Sequence, residues 1–135
     1  MKNGKIALWV RIWVLLMALL SLGFMMVSYT NPGFFGEQWA LAGPEKLATV
    51  FGHYTGRNLS MGVITLVALV MGRAQGMILV LGLRIVTDLA DTVHQTLAGT
   101  INSVFVADAG VLIIVSAFAI KSLWPVYKSE GPITE

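Results

Sequence analysis

The chain has 135 residues, of which 56% are hydrophobic and only 12% charged, with a formal net charge of +2 and no cysteine. Mean hydropathy is +0.78 and the sequence pI is about 9.2. A soluble domain carries about one-quarter charged residues, and a chain this short has too little interior to hide so much apolar surface from water. Lipid is the solvent that removes the conflict. The lack of cysteine excludes disulfides, thiolate metal centres and thiol catalysis. The basic residues are scattered, with no patch that would follow a nucleic-acid backbone, so no nucleic-acid partner is expected.

The first apolar segment covers about residues 6–29, long enough to cross a bilayer. Lys2, Lys5 and Arg11 precede or open it, and Arg11 can snorkel to the nearer surface. A cleaved signal peptide fits poorly: the run is too long, and Val27-Ser28-Tyr29-Thr30-Asn31-Pro32 offers no small-x-small cleavage site. Asn31-Pro32-Gly33 is a turn signal. In the loop that follows, Pro44 suits a first helical position, Glu45 a first turn and Gly52 a stop, with Leu47, Val50 and Phe51 on one face. This predicts a short interfacial helix in the first outer loop.

The second span is expected over about 54–72, with Arg57 and Asn58 in its first turn. The link Gly72-Arg73-Ala74-Gln75-Gly76 is short enough to make an antiparallel hairpin with a third span over about 77–97. Gly99 to Ser103 turns the chain into a fourth span over about 104–124, which Pro125 should stop, leaving a polar C-terminal tail over 125–135. Gly56-x-x-x-Ser60 and Gly72-x-x-x-Gly76 allow close helix approach, the second pair more naturally serving the turn. The predicted fold class is therefore an all-α membrane protein, a single domain over 1–135 built as a four-transmembrane-helix antiparallel bundle.

Lysine and arginine in short loops set orientation. With both termini cytoplasmic, Lys2, Lys5, Arg11, Arg73, Lys121 and Lys128 fall on the inner side and only Lys46 falls clearly outside. Trp9, Trp13, Trp124 and Tyr127 would then mark the inner interface, and Tyr29, Phe34, Phe35, Trp39 and Tyr54 the outer one. In a bacterium this is a multi-pass protein of the inner membrane.

The third span is the informative one. At ~100° per residue, Arg84, Asp88, Asp91 and Gln95 share a direction, with His94 at its edge, while Leu79, Gly82, Val86, Leu89, Val93 and Leu97 lie opposite. Three ionised residues cost roughly 2.5–3.5 kcal/mol each at a helix centre, and about eleven aliphatic residues return only ~0.3–0.6 each. The sums nearly cancel or come out unfavourable, so the charged stripe must turn inward with its charges matched. Arg84 and Asp88 form an i,i+4 pair. Asp91 would repel Asp88, so one carboxyl should hold its proton longer or take a cation from elsewhere. Arg57, at the outer start of the second span, is the expected partner of Asp91. Arg57, Asn58, Arg84, Asp88, Asp91, His94, Gln95 and Asp108 are thus candidate ligand-binding residues in the outer half of the bundle.

Three roles fit this set: an ion-pair network that only fixes packing, a pocket for a small polar or amphipathic molecule, and a proton or ion path. Four helices leave little room for a gated path. His53 and His94 lack the surrounding spacing of a haem site, and a metal on His94 with Asp91 is disfavoured, so no cofactor is expected. Expected partners are the lipid bilayer and, with it, a lipophilic small molecule such as a quinone. Under an accessory-subunit alternative, the partner is another membrane protein or a second copy.

Asn31-Pro32-x-x-x-Gly36, then Gly56-Arg57-Asn58-Leu59-x-Met61-Gly62, then Gly82-Leu83-Arg84…Asp88…Asp91 resemble the small bacterial four-helix membrane families grouped with DoxX-like proteins. The resemblance covers about residues 10–122, by architecture more than by residue. It implies a four-helix bundle in the bacterial inner membrane and an oxidoreductase-associated or uncharacterised role, which makes a quinone- or lipid-linked enzyme the third functional alternative.

Overall fold

The computed structural model describes residues 5–35, 41, 43–99 and 103–130. Lys2, Gly36, Trp39, residues 100–102 and residues 131–135 lie outside them. Among the described residues the chain forms α1 (Leu8–Thr30), a 3-10 turn (Pro32–Phe35), α2 (Pro44–Met71), α3 (Ala74–Leu97) and α4 (Ser103–Ser129). Leu8–Thr30, Gly52–Met71 and Val106–Ser129 are long and apolar enough to cross a membrane. α3 differs from them by carrying Arg84, Asp88 and Asp91. Its 24 residues still reach ~36 Å, more than the ~30 Å hydrocarbon core.

Two boundaries read from the sequence are not breaks in the backbone. The stop expected at Gly52 is absent, because α2 is continuous from Pro44 to Met71. A single helical glycine costs only ~1 kcal/mol relative to alanine and leaves the i→i−4 ladder intact. Pro125 does not end α4, which runs on to Ser129. Proline removes one backbone donor and crowds the Lys121 carbonyl. The turn after it is nevertheless closed by the Glu130 N–H, which donates to the Val126 and Tyr127 carbonyls at 3.0 and 3.1 Å. Ser129 Oγ adds a bond to the Val126 carbonyl at 2.7 Å.

The turns that do reverse the chain are made by glycine in the left-handed region, Gly72 at φ +65° and Gly99 at φ +67°, which any side chain would strain. Only Gly72 and Arg73 separate α2 from α3.

By their contacts the residues gather into two compact units, Leu15–Val67 and a second made of Met1–Val14 with Ala68–Glu135. In the first, α1 and α2 run antiparallel. The Ser28 hydroxyl donates to the Met25 carbonyl at 2.6 Å, so Thr55 supplies the proton of the 2.9 Å bond that joins the two buried hydroxyls across the pair. Gly62 lies under Leu22, where a Cβ would come within 2.7 Å of Leu22 Cγ and Cδ2. The close approach is therefore at Gly62 rather than at Gly56, around which a Cβ would meet no described atom within 4 Å.

In the second unit α3 and α4 pack on each other. α4 buries Ala109, Leu112, Ser116, Ala119, Leu123 and Val126, an alternation of three and four residues that presents one continuous stripe, as antiparallel bundles require. α3 buries Met77 and Leu81 at the same spacing. The first turns of α1 join through buried Val10 and Val14, and Trp13 Nε1 donates to Ser116 Oγ at 3.1 Å. Trp13, expected at the inner lipid interface, thus turns its polar edge inward, while Trp9 and Trp124 remain exposed.

The antiparallel register is fixed at one end by a charge. The Ala74 N–H, in the first turn of α3, donates to both Glu130 oxygens, at 2.9 and 3.0 Å. Arg73, at the N-cap position, makes no capping side-chain bond, so the carboxylate at the end of α4 satisfies the positive end of α3. Glu130→Ala should lower the stability of the detergent-solubilised protein by ~1 kcal/mol, with Glu130→Gln in between. Thermal unfolding reads this directly, and an unchanged midpoint in Glu130→Ala would remove the cap from the account.

Candidate functional site

α3 presents two unlike faces. Leu79, Leu83, Val86, Leu89, Val93 and Leu97 are exposed. The stripe begun by Met77 and Leu81 continues through Arg84, Asp88, Asp91 and Gln95 at the same spacing, with Asp88 buried and the other three half-buried. One stripe therefore changes from apolar to charged halfway along the helix.

At that change Arg84 Nε donates to Asp88 Oδ2 at 2.9 Å, the two side chains only 11% and 10% exposed. The i,i+4 spacing stacks the groups one above the other. They stand ~15 and ~21 Å from the start of α3 at ~1.5 Å per residue, the middle of the helix. Nearby hydroxyls satisfy themselves on the helix backbone. Thr87 donates to the Leu83 carbonyl, Thr92 to that of Asp88 and Thr96 to that of Thr92, at 2.9, 2.7 and 2.7 Å. Among the described residues no buried side-chain nitrogen or oxygen lacks a partner.

The other expected site residues are distributed unevenly. Asp91 and Gln95 are on the Asp88 stripe. His94 is exposed in the last turn of α3, and Asp108 is exposed on α4, off its buried stripe. Arg57 and Asn58 belong to the Leu15–Val67 unit. There the Arg57 guanidinium carbon lies 5.3 Å from the centre of the Tyr54 ring, a cation–π contact. Buried Asn58 donates from Nδ2 to the Tyr54 carbonyl at 2.9 Å. Among the described residues no three of histidine, aspartate and glutamate gather as a metal ion would need.

The structure adds two residues that the sequence reading did not select. Fourteen residues along each helix from the Ala74–Glu130 contact, Asp88 on α3 comes level with Ser116 on α4. Ser116 is fully buried and accepts the Trp13 indole N–H. Arg84, Asp88, Ser116 and Trp13 thus all carry polar groups at the mid-level of this unit. A signal for Ser116 existed: it is a lone hydroxyl on the three-and-four spacing of α4's small and aliphatic residues. Trp13 gave none, since its place beside Arg11 suited an interface equally well.

No protein-family model, no curated protein and no solved structure matches the chain.

The Arg84–Asp88 pair yields a quantitative expectation. Removing one partner takes from a nearly buried charge its 2.9 Å counter-ion, so Arg84→Gln and Asp88→Asn should each destabilise by roughly 3–5 kcal/mol. The double variant should lose clearly less than the sum. Thermal unfolding of the three variants in detergent checks this, and additivity within ~0.5 kcal/mol would mean that the two charges act independently.

Proposed function

We propose that the chain is a four-span protein of the bacterial inner membrane with both termini cytoplasmic, and that α3 is the span whose inward stripe holds a small polar or amphipathic molecule in the outer half of the bilayer. The observation that carries this is the change along one buried stripe of α3, from Met77 and Leu81 to Arg84, Asp88, Asp91 and Gln95, while the opposite face stays aliphatic and exposed. A helix needed only for packing would keep the cheaper apolar stripe throughout, since each intramembrane charge costs several times what an aliphatic residue returns. Arg84 would orient an anionic or carbonyl-bearing group, Gln95 offers both a donor and an acceptor, and Asp91 and His94 are the groups able to exchange a proton with it. The DoxX-like kinship belongs to this proposal, and a quinone- or lipid-linked activity would be its enzymatic form.

A second reading, a membrane accessory subunit with a purely structural ion pair, is favoured by one observation. The Arg84–Asp88 pair closes within a single helix and needs no ligand to match its charges. Native mass spectrometry of protein released from mild detergent separates the two. The ligand proposal expects a non-protein mass on the wild type that is lost in Asp91→Asn and in Gln95→Leu at unchanged unfolding midpoint. A wild type that carries no such mass, or that copurifies with a stoichiometric second protein, would support the accessory reading instead.

A further inference from the structure

The last two turns of α4 carry a surface that the proposed pocket does not use. Lys121, Trp124, Pro125 and Lys128 are all exposed, and their spacing of three, one and three residues puts them on one helix face. Leu123 and Val126 are buried on the other side. The Trp124 and Tyr127 rings lie 5.5 Å apart at an interplanar angle of 44°, forming a tilted aromatic pair between the lysines. The same face continues along the helix as exposed Phe118, Ile114 and Val111.

The carboxylate closest in sequence leaves this charge uncompensated. Glu130 spends both oxygens on the Ala74 N–H, across at α3. Lys121 and Lys128 make no ion pair among the described residues. A ~10 Å rise separates the two lysine Cα atoms, and long flexible stems allow both ammonium groups to reach one headgroup. Along the helix the aliphatic strip gives way to a band of Lys121, the aromatic pair and Lys128, in which the long lysine stems can carry both ammonium groups past the rings to the depth of a phospholipid's phosphate.

We infer that this end of α4 binds an anionic glycerophospholipid, with Lys121 and Lys128 on the phosphate, Trp124 and Tyr127 at glycerol depth, and Phe118 against the acyl chain. The inference rests on α4 crossing a membrane, as proposed above, but requires neither the pocket on α3 nor a particular orientation.

The test is native mass spectrometry of the full chain titrated with phosphatidylglycerol or with phosphatidylcholine of the same acyl chains. Each lysine near the headgroups contributes about fivefold, so the pair should favour phosphatidylglycerol by about 25-fold. Lys121→Gln with Lys128→Gln should abolish the preference, and Lys121→Arg with Lys128→Arg should keep it. Lys5→Gln with Arg11→Gln, at the exposed start of α1, should leave it intact. Equal retention of the two lipids, a preference that survives the Lys121/Lys128 glutamine pair, or one lost with Lys5 and Arg11, overturns the site. A chain that incorporates into lipid without any preference defeats this inference alone. A chain that stays monodisperse in buffer without lipid or detergent defeats the membrane reading with it.

Discussion

Hydrocarbon offers no hydrogen bonds, and most of this structure follows from that constraint. Every polar group on a membrane-crossing helix has to be satisfied by the protein itself, and the helices do so at several scales. Single hydroxyls fold back on the carbonyl one turn earlier, as Thr65 does on Met61 at 2.6 Å and Ser122 on Phe118 at 3.0 Å. Pairs of helices share a bond, as Ser28 does with Thr55 and Trp13 with Ser116. The free end of α3 borrows a carboxylate from α4. Arg84 with Asp88 is the same rule applied to full charges: the pair exists because neither member could be left alone in a low-dielectric interior.

The same constraint explains why α3 is unlike its neighbours. α1, α2 and α4 contain stretches whose composition would insert without help. As a span, α3 would need a packing partner, since its charges offset most of what its aliphatic face gains. Packing against α4 turns the stripe of Arg84, Asp88, Asp91 and Gln95 away from the exposed leucines and valines. The left-handed Gly72 and Gly99 stand just past the ends of α2 and α3 and leave only short connections to the helix that follows. A helix this expensive is where function is expected.

Much of the architecture was legible because hydropathy and glycine placement act locally. The four long helices, three of them apolar enough to cross a membrane, the Gly72 and Gly99 turns, and the opposition of Leu79, Val86 and Val93 to Asp88 are all written in short windows of sequence. The Arg84–Asp88 pair was legible for the same reason, being one helical turn apart. Stops were expected at Gly52 and Pro125 where the helices run on, because glycine and proline weaken a helix without ending it when the flanking turns keep their bonds. What the sequence could not show were contacts set by register between distant segments. Glu130 on the Ala74 N–H, Leu22 over Gly62, and Trp13 on Ser116 all depend on how far one helix is shifted along another. Within the candidate set, Asp88 and Asn58 share burial, but His94 and Asp108 are exposed. Helical phase placed His94 at the edge of the stripe and depth placed Asp108 at its level, and neither reports how exposed a side chain is.

The central claim is that α3 crosses the membrane despite its charges, and the absence of cysteine from the chain makes a direct measurement simple. Gln75 and Ala98 stand at the two ends of α3, both exposed. Single-cysteine variants at these positions, treated in whole cells with a membrane-impermeant maleimide, should give opposite results. Ala98→Cys should react at once, and Gln75→Cys only after the membrane is opened, together with a Lys128→Cys control on the same side. Equal reaction of Gln75→Cys and Ala98→Cys from one side of the intact membrane would show that α3 does not cross, and would contradict the account.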